Sequence, residues 1–246
     1  MSKKIFLSAF VLVAVVAMVL LGFWQLDRHS QKQQINTQIK LRTSELPVEL
    51  MKLAAEDQSN LEYRRVTASG TYLATDSVLV RNRSYNGNPG YWLLTPLETE
   101  EGKPIIVNRG WLPIGAEEFK ETPRTKVTVE GIIQKTQTAT GLQREDDPSG
   151  VLSTLGRVDF DRYQQQLDYE IHSMYIQLTL QDPKQMIDLP VALEIPEYEE
   201  RQHLNYAVQW FIFAAIAAFG YLLILYRNNR RGSNRSMNSD IPIEYL

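Results

Sequence analysis

The sequence predicts a membrane protein in which two transmembrane α-helices flank an extracytoplasmic α+β domain, and that domain is mainly antiparallel β. Three observations predict this fold class. An uncharged apolar run lies near each end of the 246-residue chain. Short segments rich in β-branched and aromatic residues follow one another through the middle. Turns rich in Gly, Pro and Asn separate those segments.

The two apolar runs, Ile5–Leu26 and Leu204–Tyr226, are each long enough to cross a membrane as a helix. About 20 apolar residues, rising 1.5 Å each, span a hydrocarbon core of ~30 Å. The first run is longer than the apolar part of a cleaved signal peptide, and its end, Gly22–Leu26, lacks a small-residue cleavage site. We therefore expect an uncleaved anchor. No Arg- and Ser-rich leader precedes it, which favours a bacterial plasma (inner) membrane.

Charge predicts the orientation of the two spans. The chain has 26 basic and 29 acidic residues; six and two of them lie in the terminal tails, so 20 and 27 lie between the runs, a net charge of −7. Because Lys and Arg favour the cytoplasmic side, we expect both termini in the cytoplasm and the middle outside. The predicted boundaries are a cytoplasmic N-terminus over 1–4, helices over 5–26 and 204–226, a β-rich domain over 27–203, and a cytoplasmic tail over 227–246 whose polar composition predicts disorder.

Within the central segment, the first helix is expected to continue as a polar helix to about Leu41, and a second short helix is expected over Glu45–Ala55. Strands are predicted over Tyr63–Leu73, Ser77–Arg83, Tyr91–Leu97, Pro104–Leu112, Val127–Lys135 and Ser173–Leu180. In the last of these, alternation places four apolar side chains on one face: Met174, Ile176, Leu178 and Leu180. A further short helix is predicted over Phe160–Leu167.

Composition and motifs exclude several functions. The chain has no cysteine, which excludes disulfides, Cys-ligated zinc, iron–sulfur clusters and thiolate copper sites. The acidic central segment gives no support for nucleic-acid binding. The sequence contains no G-x-S-x-G, P-loop, G-x-G-x-x-G or H-E-x-x-H motif, so we expect no enzymatic activity and no catalytic residues.

His203 directly precedes the second apolar run and begins a stripe along one helix face. At 100° per residue, this stripe consists of His203, Ala207, Trp210, Ala214, Ala218 and Tyr221. Its small residues allow another helix to approach closely. His203 is either an interfacial polar residue hydrogen-bonded to water or headgroups, or a ligand for haem iron. Spacing alone favours the first interpretation.

Gln25, Arg28 and Lys32 share a face where the first span ends. The two basic side chains either extend to the interface beside Trp24 or bind an anionic partner on the side that the charge rule disfavours for them. Candidate anions are a lipid headgroup, a carboxylate of the domain or haem propionates, which an arginine fork binds bidentately. His29 lies near the same plane, so bis-histidine ligation with His203 is an alternative to a solvated His29.

Four short motifs occur in order along the chain. They are Gly22-x-Trp24-Gln25-x-x-Arg28-x-x-x-Lys32; Asn82-Arg83-Ser84 followed by Gly90-Tyr91 and Thr95-Pro96-Leu97; Val107-Asn108-Arg109-Gly110-Trp111-Leu112-Pro113; and His203-Leu204-x-Tyr206-Ala207-x-Gln209-Trp210-Phe211. Together, inside a two-span topology, they make the chain resemble the SURF1 family of cytochrome c oxidase assembly factors, in its bacterial form.

The resemblance implies a non-enzymatic assembly factor for a haem–copper oxidase that binds haem a and aids its insertion into subunit I. His203 is then the iron ligand, and no other metal is implied. Trp210, Arg28, Arg83 and Arg109 become candidates for contacts with haem or a protein partner, although Arg83 and Arg109 could equally pair with carboxylates inside the domain and Trp111 could belong to the core. The implied partners are oxidase subunit I, other oxidase assembly factors, haem a synthase and the lipid bilayer. The alternative is a haem-independent membrane scaffold that stabilises oxidase assembly intermediates.

Overall fold

The computed structural model describes residues 3–53, 60–100, 102–116, 123–140, 146–185, 188–199 and 201–237. Its helices and strands, in chain order, are α1 Lys3–Ser44, β1 Val48–Glu49, β2 Arg65–Tyr72, β3 Val78–Tyr85, β4 Asn88–Thr99, β5 Ile105–Pro113, β6 Val127–Lys135, β7 Thr154–Leu155, α2 Phe160–Gln164, β8 Met174–Asp182 and α3 Arg201–Met237. The chain forms two compact units. The helical unit consists of Met1–Thr37 and Glu197–Leu246, and the sheet unit of Gln38–Pro196.

The helical unit is an antiparallel pair of α1 and α3. The predicted polar extension of the first apolar run is confirmed, because α1 continues without interruption to Ser44. No Gly or Pro occurs between Phe23 and Ser44 to end it earlier. The second helix of the pair, α3, likewise extends beyond the second apolar run, to Met237. Helix therefore replaces the predicted disorder over 227–237, where Arg230 lies 4.7 Å over the ring of Tyr226 one turn earlier; residues 238–246 lie outside the described residues.

The predicted stripe on α3 is confirmed as the face that packs against α1. Ala207 and Ala214 are buried on this face, and the Tyr221 hydroxyl hydrogen-bonds to Ser8 near the other end of the pair. Between these points the Phe23 and Phe211 rings meet edge to face, with their centroids 5.5 Å apart. Gly22 makes this approach possible, since a Cβ there would lie 2.7 Å from the Phe211 ring.

Both helices are long and apolar enough to cross a membrane over Ile5–Ser44 and Arg201–Arg227. Only 6% of the most apolar window of each helix is buried, so the apolar side chains outside the helix contact point outward. Phe10, Leu20 and Phe219 are more than 60% exposed. Such a continuous apolar surface calls for an apolar environment or a partner.

The sheet unit is built on a closed ring of five strands, β2–β6–β8–β5–β4. Neighbouring strands pair in antiparallel fashion except β5 and β8, which are parallel. The ring is completed by antiparallel pairing of β2 with β4, from Gly70↔Thr99 to Tyr72↔Leu97. β1 pairs with β2, while β3 and then β7 extend the sheet from β4. The predicted mainly antiparallel sheet is therefore confirmed, and the sheet closes into a small barrel.

Apolar side chains fill both faces of the ring. The interior cluster takes alternate residues from the five strands, such as Val66, Val107, Val129 and Ile176, each of them fully buried. A second cluster covers the outer face of β3, β4 and β5 and includes Leu94, Ile106 and Tyr163. Because β5 contributes to both clusters, all but the last of its residues are buried, as expected for a strand covered on two faces.

Two further predictions about local structure are wrong. The strand over Ser173–Leu180 forms, but Leu180 is 54% exposed instead of sharing the buried face of Leu178. A bulge explains this, because Gly131 pairs with Leu178 while the preceding residue Glu130 pairs with Leu180; the extra residue reverses the alternation. Over residues 45–53, the structure has the short strand β1 and a 3₁₀ turn at Leu50–Leu53 in place of the predicted α-helix, and residues 54 and 55 of that prediction lie outside the described residues. Pairing of Val48 with Val66 outweighs the local helical pattern.

Gly110 fits a position that no other residue can occupy without strain. Its φ is +130°, and a Cβ there would lie 2.2 Å from the backbone oxygen of Val191. The close approach allows Trp111 and Val191 to exchange two backbone hydrogen bonds of 2.8 Å each. In this way the segment after β8 is attached to β5.

We predict that Gly110→Ala lowers the free energy of unfolding by about 2 kcal/mol or more, because it adds a steric clash to an unfavourable φ. The thermal midpoint of the purified chain in detergent should fall by roughly 4–8 °C. Gly87→Ala is the control: its φ is +79° but nothing lies within 4 Å of an added Cβ. Equal losses in the two variants would contradict the assigned clash.

Candidate functional site

The helix pair brings His203 against Gln25. His203 lies in the first turn of α3, and Gln25 lies where the first apolar run ends on α1. The His203 Nδ1 atom is 2.8 Å from the Gln25 Oε1 atom, and the contact is partly buried. The two residues belong to different motifs, 178 positions apart, and antiparallel packing of the helices aligns them.

This contact selects one tautomer of the neutral imidazole ring. The amide oxygen of glutamine only accepts hydrogen bonds, so Nδ1 of His203 carries the proton and donates it. The neutral ring then presents the lone pair of Nε2. Histidines that bind metals commonly have their other ring nitrogen held in this way, which sets both the tautomer and the ring direction.

An apolar surface follows His203 along α3. Ala207, one turn further, is fully buried. Trp210 is half-buried, and its ring meets that of Phe213 edge to face at 6.2 Å. The predicted iron ligand His203 and the predicted aromatic contact Trp210 therefore lie on one helix, two turns apart, with the small residue Ala207 between them.

Two cations of the predicted face lie near this site on α1. Arg28 is exposed; its guanidinium lies 5.8 Å from the Trp24 ring and donates to Gln31 Oε1 at 2.9 Å. The Lys32 ammonium lies 4.3 Å over the ring of Tyr198. Arg28 thus has its charge near solvent, where an anionic group can reach it.

Asn36 and Tyr198 form a contact that the sequence gave no reason to expect. The Asn36 amide donates to the Tyr198 carbonyl oxygen at 2.7 Å, and the Tyr198 backbone N–H donates to Asn36 Oδ1 at 2.9 Å. This reciprocal pair holds the chain just before α3 against α1, and it positions the ring that Lys32 covers. No motif marks either residue, because the pairing depends on how the two helices meet.

Arg83 and Arg109 belong to the sheet unit. Arg109 is 1% exposed, lies 5.1 Å over the Tyr72 ring and donates to Gln185 Oε1 at 2.8 Å. Burial lowers the pKa of Arg109 from its ordinary value. Arg83 lies 4.2 Å over the Trp92 ring and donates to Gln137 Oε1 at 2.9 Å. Contacts of either arginine with haem or a partner remain predictions.

Trp111 and His172 both lie in the sheet unit, in contact with its backbone. Trp111 is 6% exposed, which confirms that it belongs to the core, and its indole N–H donates to the Arg83 carbonyl oxygen at 3.3 Å. The backbone N–H of His172 donates to the Pro104 carbonyl oxygen at 3.0 Å. Burial, with a smaller effect from Lys103, lowers the pKa of His172 below its usual value. Within the described ranges, no group of three or more His, Asp and Glu residues forms a metal site.

Comparison with known proteins gives one family. A profile of the SURF1 family matches residues 12–215, a range that contains both His203 and Gln25. A SURF1-like protein of Rickettsia bellii is 29% identical over 238 residues, which is 93% of each chain. An uncharacterized SURF1-like protein of Mycobacterium bovis is 27% identical over 94% of this chain and 88% of its own. A SURF1-like protein of Dictyostelium discoideum is 24% identical over 82% of this chain and 89% of its own.

Proposed function

The chain belongs to the SURF1 family, and we propose that it binds haem a during assembly of a haem–copper oxidase and aids haem insertion into subunit I. Family membership implies the role in oxidase assembly; the haem cargo is the further step. The observation that carries this step is the hydrogen bond from His203 Nδ1 to Gln25. The role needs no catalytic residue, so we propose a chaperone rather than an enzyme.

The proposed location is a bacterial inner membrane. Helices of 42 and 37 residues are about 63 and 55 Å long at 1.5 Å per residue, more than a bilayer core requires. Their outward side chains are apolar. The basic tails support an orientation with both termini in the cytoplasm and the acidic sheet unit outside.

In this placement the helix pair suits each part of an amphipathic haem. His203 Nε2 supplies a neutral nitrogen ligand for the iron. Trp210, with the exposed ring of Phe213 beside it, offers an aromatic surface for the porphyrin plane and the hydrocarbon tail. Arg28, on the exposed side of α1, provides a guanidinium for a propionate. In the sheet unit, Arg83 and Arg109 remain candidates for contacts with haem or with partners such as subunit I, other assembly factors or haem a synthase.

His203→Ala should abolish most haem a binding, since it removes the proposed iron ligand. The test is to co-express the full chain with haem a synthesis, purify it in detergent and measure bound haem by absorption spectroscopy. His172→Ala, which removes a histidine of the sheet unit, is the matched control and should keep its haem. Unchanged haem content in His203→Ala would refute the ligand role.

Co-purification of subunit I separates haem binding from a scaffold function. A haem-independent scaffold predicts that oxidase subunit I co-purifies with the chain equally from cells with and without haem a synthesis. Haem-free wild-type protein that still captures subunit I would favour the scaffold.

Gln25→Leu should weaken haem a binding by about 10–100-fold, the usual effect of losing the partner that orients a metal-binding histidine. Gln25→Glu retains an acceptor for Nδ1–H and should bind haem more tightly than Gln25→Leu. Haem titration of the purified apoproteins gives the three dissociation constants. Equal affinity of Gln25→Leu and wild type would mean that the His203–Gln25 contact does not serve ligation.

Orientation can be tested by single-cysteine labelling, because the chain has no cysteine of its own. Asn88→Cys lies in an exposed hairpin of the sheet unit, and a membrane-impermeant maleimide should label it in spheroplasts. Ser2→Cys, in the short N-terminal tail, should react only after lysis. The reverse pattern would contradict the proposed orientation.

A further inference from the structure

The sheet unit contains a polar cavity with three arginines in its wall. The cavity measures about 490 Å³ and is lined in part by Arg81, Asn82, Arg83, Gln137, Thr138 and Arg157. It lies within a segment whose net charge is −7. Three guanidinium groups around one space are unexpected in such an acidic domain, and their partners show whether the charge is compensated.

Two of the three arginines are paired with carboxylates. Arg81 Nη2 lies 2.5 Å from the buried Asp146 carboxylate, which also accepts the backbone N–H of Gly156 at 2.7 Å. Arg157 Nη1 lies 3.8 Å from Asp159. Each of these two arginines therefore has a carboxylate partner, and the contact is closer for Arg81 than for Arg157.

Arg83 is the arginine of the cavity for which the described residues supply no carboxylate partner. It forms no ion pair with a carboxylate in the described part of the chain. Its known contacts are with neutral groups, the Trp92 ring at 4.2 Å and the Gln137 amide oxygen at 2.9 Å. Its Nε atom is buried and has no hydrogen-bond partner among the described residues. Burial lowers the pKa of Arg83 from its ordinary value, as expected when a cation is desolvated without an anion.

The backbone of β3 is shaped so that consecutive residues reach the cavity. Its register against β4 shifts between Val80 and Arg83, and Asn82 within this bulge has φ +60°. In a regular strand, neighbouring side chains would point to opposite faces. The bulge lets Arg81, Asn82 and Arg83 all line one space. Bulges that redirect side chains in this way are common beside binding sites.

We propose that this cavity binds the carboxylate group of a ligand, with Arg83 as the principal contact. A single unbalanced positive charge matches a monoanionic carboxylate better than a doubly charged phosphate. The planar fork of arginine also suits a planar carboxylate. Thr138, Thr140 and Gln137 supply neutral hydrogen-bonding groups beside it. The cavity volume exceeds that of a carboxylate group alone, so the ligand contains further atoms. It is either a small organic acid or an acidic side chain of a bound peptide. The proposal is independent of haem binding at His203.

The test measures the thermal midpoint of the full-length wild-type chain in detergent during titration with anions at constant ionic strength. Acetate and glutarate represent a small organic acid, and a capped Gly-Glu-Gly tripeptide represents an acidic side chain. Sodium chloride is the baseline and phosphate the competing anion class. We expect a saturable rise with at least one carboxylate. A response to glutarate identifies a small acid as sufficient, whereas a response to the tripeptide alone assigns the site to a protein side chain.

Arg83→Gln should weaken the apparent carboxylate affinity about tenfold or more, because it removes a charge-assisted hydrogen bond. Arg124→Gln, which removes an exposed arginine elsewhere in the sheet unit, makes the same change in net charge and should leave the affinity unchanged. Arg83→Lys keeps the charge without the fork and should fall between wild type and Arg83→Gln. Absence of saturable carboxylate binding by wild type, a response to phosphate alone, or equal weakening by Arg124→Gln would overturn the proposal. The wild-type titration decides the matter even if Arg83→Gln does not fold.

Discussion

Pairing of β2 with β4 is the constraint on which the sheet unit depends, because it closes the ring around the interior cluster. The approach is possible only because Gly70 has no side chain: a Cβ there would lie 2.0 Å from the Glu98 carbonyl oxygen. Without this closure, Leu97 and Tyr72 would lie at an open edge of the sheet. Tyr72 is also the ring beneath the Arg109 guanidinium, so ring closure helps to position Arg109 through the packing of one aromatic side chain.

Local pattern predicts the strands well and their arrangement poorly. The predicted strand over Val127–Lys135 matches β6 at both ends, and β5 begins and ends within one residue of its prediction. These segments have strong β-propensity and clear turns beside them. Ring closure, the parallel pairing of β5 with β8 and the bulge that exposes Leu180 all depend on contacts between distant segments. A single sequence does not encode these contacts as a local period.

The candidate site shows the same limit. Helical periodicity predicts that Ala207 and Ala214 share a face with His203, and the structure confirms this face as the helix contact. Periodicity likewise places Gln25 on the face of Arg28 and Lys32. It does not show that Gln25 meets His203. These residues are 178 positions apart in the chain, and their contact depends on how the two helices align along their axes. Nor does it show that Arg83 would contact Gln137 and Trp92 instead of a carboxylate.

The identity of the residue behind His203 bears on how a cargo would be held and released. A carboxylate in place of Gln25 would make the imidazole a stronger ligand, but it would also put a negative charge among apolar helix residues, which is costly there. The amide oxygen of Gln25 fixes the ring and its tautomer without adding charge. In the proposed role, His203 is then an oriented ligand with no negative charge behind its ring. Such a ligand can direct haem iron to one position and still give it up to a stronger site, which a transfer protein requires and a permanent haem protein does not.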